Sequence, residues 1–418
     1  MNIMMIYAKP DDEKKPRFGF SYEMLLIATI LREEFNVLIR DYSCEQFEDK
    51  ELLLDLQNRR ISTVLIECDS FALKRSENIK NAKAIISSIR KMGEDITIIV
   101  YGNQCYISEQ DIEGADYTIK ENNITKLLSL VYSSNGRTLT KDFVNYDSLP
   151  IINREILNDI EYYSENRINT LIQTSRGCEN TCVFCQRKGW QSKYEVHSDE
   201  YVIKEFLDVK SKGYKNVWVV DENFTFNLAR SKRILKALKE HELTDSMKLF
   251  VSSWANIDYE FLDLAVECNI KVMSFGIESG NREILSFYRK NIDLDRAYEM
   301  IKYANSKGIF TVGNFIIGAP METVDTIQQT FQFIRKCGFD QVNIKTLDYM
   351  LGSELYDTMP ETLKTTNHVF ACRETGLNQF TLQELIGYKN EFLANYYDEH
   401  KITVSRKISE YGTPYFLR

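Results

Sequence analysis

Arg176-Gly177-Cys178-Glu179-Asn180-Thr181-Cys182-Val183-Phe184-Cys185 is the stretch from which the rest of the chain can be read. Its cysteines are spaced C-x3-C-x2-C, directly after the strand-like run Thr170-Leu171-Ile172-Gln173-Thr174 and behind a glycine. Three thiolates in one short loop can wrap a single soft metal centre. The count of three is informative. A [4Fe–4S] cube usually takes four cysteines, so Cys178, Cys182 and Cys185 would leave one iron open to a substrate or cofactor. Structural zinc prefers four ligands, and only His197 lies near enough in sequence to be the fourth. A trio of buried, unliganded thiols is the remaining alternative, and this spacing speaks against it.

C-x3-C-x-aromatic-C, with Phe184 in the aromatic slot, resembles the signature of the radical S-adenosylmethionine (SAM) superfamily. The resemblance implies a [4Fe–4S] cluster on the three cysteines and SAM chelated to the open iron. Reductive cleavage of SAM would then give a 5′-deoxyadenosyl radical. An external electron donor of flavodoxin or ferredoxin type is implied as a partner.

Downstream of the loop, strand and helix alternate. Strands are expected at Thr170–Thr174, Asn216–Asp221, Lys248–Ser252, Lys271–Gly276, Phe310–Ile317 and Asp340–Thr346, separated by amphipathic helices. Six such repeats predict a partial (β/α)6 barrel of TIM type over 168–346, with its chemistry at the carboxyl ends of the strands. Polar residues collect there: Asp221-Glu222-Asn223, Ser252-Ser253-Trp254, Glu278-Ser279-Gly280 and Gly318 to Thr323. Thr323 and Asn281 read as helix caps. The runs Phe275–Gly280 and Phe315–Thr323, with Lys290 between them, are similar to radical SAM proteins of the cobalamin-associated and methylthiotransferase-like classes. That likeness implies SAM contacts from Phe184, Asp221, Glu278, Ser279 and Gly318. A carboxylate such as Glu278 can accept from ribose hydroxyls or the SAM ammonium, and a glycine turn lets backbone approach adenine.

Residues 1–133 also alternate strand and helix. Asn2–Tyr7, Asn36–Asp41, Thr63–Glu67 and Ile96–Tyr101 are apolar enough to be buried on both faces, which predicts a Rossmann-like, doubly wound parallel sheet. Its ligand crevice would lie outside the carboxyl ends of the strands. No G-x-G-x-x-G follows any strand, which disfavours a dinucleotide. The layout resembles the cobalamin-binding domain that precedes the radical SAM core in one large class. On that resemblance Arg17, Asp69, Ser70, Gly102 and Asn103 would face cobalamin. The family's D-x-H-x-x-G is absent, and the first histidine of the chain is His197, so cobalt would receive no imidazole from this domain. Residues 134–167 read as a linker, and 347–418 as a small, mostly helical extension with an amphipathic helix over Thr381–His400.

The 418 residues suit two domains. A net charge of −9 and the absence of a basic cluster argue against a nucleic-acid partner. No apolar run reaches the ~20 residues of a membrane span, and the N-terminus reads as a strand rather than an export signal. The expected location is the cytoplasm, where the nine cysteines would stay reduced. The function predicted is a cobalamin-dependent methyltransferase acting at an unactivated carbon of a small-molecule or peptide substrate. The alternatives are a radical cyclisation, ring contraction or rearrangement without methyl transfer from cobalamin, an RNA methylthiotransferase-like enzyme, and a non-catalytic iron–sulfur or zinc protein.

Overall fold

A computed structural model describes residues 1–8, 20–68, 78–92, 95–108, 110–143, 145–165, 168–189 and 193–411, with the side chains of 188–189 and 401–411 left aside. The chain divides into two compact units, the first built on Met1–Leu171 and the second on Ile172–Lys188 and Ser192–Arg418.

In the first unit, β1 (Asn2–Tyr7), α1 (Tyr22–Leu31), β2 (Asn36–Asp41), α2 (Asp49–Asn58), β3 (Ile61–Glu67), α3 (Ile79–Arg90), β4 (Thr97–Tyr101), α4 (Asn103–Ser108), β5 (Tyr117–Thr118) and α5 (Ile124–Ser134) follow in order. The sheet is parallel with strand order β2-β1-β3-β4-β5. Ile3 to Ile6, Val64 to Ile66 and Ile98 to Tyr101 are at most 1% exposed, as strands covered on both faces must be. Ser21 caps α1, accepting from Met24 N at 3.2 Å. The 2-1-3-4-5 order reverses direction between β1 and β3, the switch point at which such sheets hold ligands. Both loops leaving that point, 9–19 and 69–77, lie outside the described residues, and with them Arg17, Asp69 and Ser70.

The stretch read as a linker is built into this unit. It carries two 3₁₀ turns and α6 (Glu161–Glu165), and buries Arg154, Ile156, Ile160 and Tyr163. Tyr163 donates its hydroxyl to Asp41 Oδ2 at 2.8 Å and meets Phe20 edge-on.

The second sheet contains β6 (Asn169–Ile172), β9 (Asn216–Val219), β10 (Lys248–Ser253), β11 (Ile270–Glu278), β12 (Phe310–Ile317) and β13 (Gln341–Thr346). They lie in sequential order, β13 and β6 at the edges. A small ladder of β7 (Ser175–Arg176) and β8 (Glu195–Val196) flanks the cysteine loop. The crossover helices are α7 (Asp199–Ser211), α8 (Leu228–Glu240), α9 (Tyr259–Glu267), α11 (Leu294–Ser306) and α12 (Val324–Cys337), with the short α10 (Arg282–Phe287) after β11. Beyond β13 come β14 (Asp348–Met350), α13 (Glu354–Thr358), β15 (His368–Phe370) and α14 (Leu382–Tyr411).

Alternation along the strands separates two faces. Val217, Val219, Leu249, Val251, Met273, Phe275, Ile277, Phe315, Ile317, Val342 and Ile344 join the core shared with the helices. The residues between them look the other way, onto the helix-free face. In place of a sixth crossover helix, α14 packs along β13: Tyr396 bonds to Phe339 O, and Tyr397 accepts from Val342 N at 2.8 Å.

Candidate active site

The cysteine loop is fixed at the carboxyl end of the second sheet by two neighbouring acids on the segment after β9. Asp221 is 2% exposed and accepts from Thr174 N at 2.7 Å, Thr174 Oγ1 at 2.6 Å and Ser175 Oγ at 2.6 Å. Glu222 accepts from Gly177 N at 2.8 Å and faces Arg187 Nε at 3.6 Å. Burial raises the proton affinity of both carboxyls. The loop's hydroxyls and amides oppose this at Asp221, and the Arg187 guanidinium opposes it at Glu222. Arg230 completes the clamp by donating to Thr174 O and His197 O, both at 2.9 Å. Gly177 sits at φ +78°, which a side chain would oppose. What Asp221 visibly does is hold the loop; Glu222, quoted from the sequence only as a strand-end polar residue, and Arg187, which the sequence does not single out, share that task.

The three cysteine residues are half-buried. Asn180 Nδ2 lies 3.1 Å from Cys178 Sγ, and Cys185 N donates to Cys182 O at 3.1 Å. Burial pushes the Cys182 thiol up to about 12. Lys290 opposes that shift, while Cys185, Glu278 and Cys178 add to it. Burial also pushes Cys185 up, against Arg187 and Lys290. Cys182 and Cys185 thus share one cation, Lys290, and a bound metal would draw the thiols into the thiolate form. Among the described residues no three His, Cys, Asp or Glu side chains are gathered closely enough to hold a single ion. Thiolates on three different irons of one cube stand further apart than that. His197 is 1% exposed, stacked on Tyr201 with ring centroids 3.6 Å apart, and its carbonyl anchors Arg230.

Phe184 meets Tyr288 edge-on at 5.2 Å, and Val183 belongs to a small core with Ile284, Tyr288, Ala319 and Leu347. The loop is therefore packed against the turns after β11 and β12. Register slips between Gly276 and Glu278, and Glu278 sits at φ +72°. Such a bulge re-aims a side chain. Glu278 Oε1 comes 3.3 Å from Lys290 Nζ, and that ammonium lies 3.7 Å from the centre of the Trp254 ring. The two side chains are 11% and 3% exposed, a buried ion pair resting on an aromatic face. Gly276 makes room for it. A Cβ there would stand 2.8 Å from Glu278 Oε1 and 3.3 Å from Lys290 Nζ.

Ser279 is fully buried, with its hydroxyl 3.1 Å from Thr330 Oγ1 and accepting from Asn281 N. Asn281 and Thr323 cap α10 and α12, as their sequence context predicts. Gly318 turns at φ +104°, and Glu322 closes the turn by accepting from Gly318 N and, at 3.0 Å, from Ala319 N. Burial pushes the Glu322 carboxyl up to about 7 despite those two amides. Asn378 and Gln379 bind the carbonyls of Ala319 and Glu322, so the C-terminal extension braces the turn.

In the first unit, Gly102 (φ +110°) and Asn103 form the turn into α4. Near the switch point Ser21 donates to Glu67 Oε1 at 2.7 Å, and Asn78 Nδ2 bridges Ala8 O and Glu67 O at 2.9 and 3.1 Å. Glu67 and Tyr101 are fully buried.

A parallel strand–helix sheet thus carries, at its carboxyl end, a pinned three-cysteine loop, a bulged acid and a glycine turn, the layout of an α/β enzyme. Residues 172–334 match the family profile of the Radical SAM superfamily, so that stretch of the chain is a radical SAM domain. The family's cofactors are a [4Fe–4S] cluster and SAM. Among relatives, an uncharacterized methyltransferase of Pyrococcus horikoshii is 25% identical over 369 residues, covering 82% of this chain and 78% of that one. The cytidylyl-2-hydroxyethylphosphonate methyltransferase of Streptomyces wedmorensis is 30% identical over 193 residues, 44% of this chain and 36% of that protein. The fold is shared with the radical SAM methyltransferase TsrM from Kitasatospora setae, solved with cobalamin and a [4Fe–4S] cluster bound. There the TM-score is 0.70 and the identity 15%, over 85% of this chain and 76% of that one. No helix among the described residues is long and apolar enough to cross a membrane.

Proposed function

We propose that this radical SAM enzyme is a cobalamin-dependent methyltransferase that acts on an unactivated carbon, with Cys178, Cys182 and Cys185 as the ligands of its cluster. One observation carries the reading. A single chain joins a three-cysteine loop, clamped at the strand ends of a partial barrel, to a separate parallel sheet of order 2-1-3-4-5. When bound, the cluster supplies the electron that cleaves SAM to the 5′-deoxyadenosyl radical, and methylcobalamin supplies the methyl group.

The protein's own part is positioning. Asp221, Glu222, Arg187 and Arg230 hold the loop in one conformation, so the three thiolates can ligate three irons and leave the fourth for SAM. Glu278 offers a carboxylate to the SAM ribose or ammonium, and Lys290 keeps that carboxylate from being an isolated buried charge. The Gly318 turn, fixed by Glu322, brings backbone close to adenine, and Phe184 packs the loop against Tyr288 beside it. In the first unit Gly102, Asn103 and the Glu67 edge border the switch point at which cobalamin would sit; Arg17, Asp69 and Ser70 are candidates on the sequence resemblance and lie outside the described residues. That unit has no histidine that could ligate cobalt. The substrate would be a small molecule or peptide, and the reductant a flavodoxin- or ferredoxin-type protein.

A second reading, radical chemistry without cobalamin, draws on the buried Glu67 and Tyr101 at a rim where smaller residues would leave more room. An absorption spectrum of anaerobically purified protein, before and after hydroxocobalamin, with iron and sulfide counted, separates the two. A cluster spectrum together with a stoichiometric corrinoid band supports the methyltransferase. A cluster without retained corrinoid supports the second reading.

A further inference from the structure

The helix-free face of the second sheet is ordered in layers. Across β9 to β12, Trp218, Phe250, Val272 and Phe310 pair in one row. Ser252, Ser274, Val312 and Gln341 form the next, then Gly276, Asn314 and Asn343, and finally Ile316 beside Lys345. Phe250, Val272 and Val312 are at most 1% exposed, so the amino-terminal end of this face is closed. Ser274, Asn314 and Asn343 are only half-buried and Lys345 is exposed. The serine and asparagine positions thus keep an exposure that Phe250, Val272 and Val312 beneath them lack.

The hydrogen bonds in that layer all run one way. Asn314 Nδ2 donates to Phe275 O at 3.1 Å, and a backbone carbonyl can only accept, which fixes the orientation of the amide. The same nitrogen donates to Ser274 Oγ at 2.9 Å. Asn314 Oδ1 must then accept, and it does so from Asn343 Nδ2 at 3.0 Å; Asn343 Oδ1 in turn accepts from Gln341 Nε2 at 3.1 Å. The chain starts at Gln341 Oε1, buried and without a partner in a residue 3% exposed, and ends at the Ser274 hydroxyl. The two asparagine oxygens are thus engaged inside the ladder, and the one open acceptor, Gln341 Oε1, is buried at its far end. The Ser274 O–H and the second Asn343 N–H are left as donors, and aligned amides polarise one another. On the helix-free positions of β9 to β13 no carboxylate precedes Glu278, which Lys290 already pairs.

We infer that this ladder is the substrate's anchoring site, and that the substrate is a compact organic molecule presenting an anionic oxygen group, carboxylate or phosphoryl, to Ser274 and Asn343. Gly276 places Glu278 and Lys290 one row above Ser274, so an anchored molecule would lie directly beneath the SAM-holding residues. The inference rests on the reading of this sheet as the radical SAM core.

Binding can be measured without turnover. Trp218 and Trp254 are two of the three tryptophans of the chain and belong to this sheet and its rim. The anaerobic full-length protein is titrated with benzoate, phenyl phosphate and the neutral benzamide, following tryptophan fluorescence. Fragments of this size bind in about the millimolar range. Saturable quenching by an anion is expected, with benzamide weaker by about tenfold or more, since hydrogen bonds to charged groups are the stronger ones. Ser274→Ala should weaken the anion by about tenfold. Asn343→Asp, which keeps the shape but reverses one donor and adds a negative charge, should abolish its binding. Benzoate binding alone assigns a carboxylate and phenyl phosphate alone a phosphoryl group. Failure of both anions to saturate, equal binding of benzamide, or unchanged affinity in both variants overturns the inference. Iron, sulfide and SAM cleavage are measured on the same samples. Intact cluster and cleavage without anion binding refute the anchor alone, whereas anion binding without a cluster refutes the radical SAM assignment of the loop.

Discussion

Glu322 offers a prediction whose size follows from the structure. Its carboxyl is fully buried, and burial lifts it from an ordinary 4.5 to about 7, even though Gly318 N and Ala319 N donate to one of its oxygens. The native state therefore holds a proton that the unfolded chain has released over roughly pH 4.5 to 7. Where the native state binds more protons, stability falls as pH rises. The contribution of Glu322 is complete below about pH 4.5 and lost as pH passes about 7. A shift of about 2.5 units corresponds to about 3 kcal/mol. Glu322→Gln keeps an oxygen to accept from the two amides and carries no charge, so it should match the wild type near pH 4.5 and exceed it by about 3 kcal/mol above pH 7. Paired denaturation curves across that range measure the difference. Infrared spectroscopy should show a protonated-carboxyl band that titrates near pH 7 and is missing in the variant. A stability difference independent of pH, or no such band, would refute the argument that desolvation outweighs the two amides.

Alanine at Cys178, Cys182 or Cys185 should abolish SAM cleavage, and a triple variant that kept its full iron and sulfide would overturn the ligand assignment; His197→Phe should keep its iron. Glu278→Ala should weaken SAM binding by about one to two orders of magnitude, the worth of a charged hydrogen bond, while the cluster stays full; unchanged affinity in equilibrium dialysis counts against the role. Gly276→Ala should act in the same direction, because the added methyl reaches the space of Glu278 Oε1 and Lys290 Nζ; a normal SAM affinity would show that the pair can move aside at little cost. Electron paramagnetic resonance of the cob(II)alamin form should lack nitrogen splitting, and triplets would mean that a nitrogen, from a side chain or from the benzimidazole of cobalamin itself, reaches cobalt.

What could be read from the sequence divides along physical lines. Strand and helix periods depend on neighbours a few residues apart, so the two sheets, the Asn281 and Thr323 caps and the cysteine loop were all legible there. Asn281 and Thr323 show why: each cap bonds to an amide three residues on. Partnerships set by tertiary contact were not. Nothing local ties Glu222 to Gly177 across 45 residues, or brings Lys290 over Trp254. Asp221 illustrates the limit from the other side. Its position at a strand end was readable, but whether a strand-end carboxylate faces a ligand or braces a loop depends on which donors the fold brings to it, and here Thr174 and Ser175 supply three. The 134–167 stretch, with few apolar positions at regular spacing, still buries a tyrosine against Asp41, because irregular backbone can pack wherever its polar groups find partners. The asparagine ladder makes the point most sharply. Asn314 and Asn343 are unremarkable polar residues in apolar strands until register places them side by side, and the direction of the whole chain of bonds is then set by one carbonyl, Phe275 O, on the neighbouring strand. Specificity in this enzyme would thus reside in strand register, which no single stretch of the sequence displays.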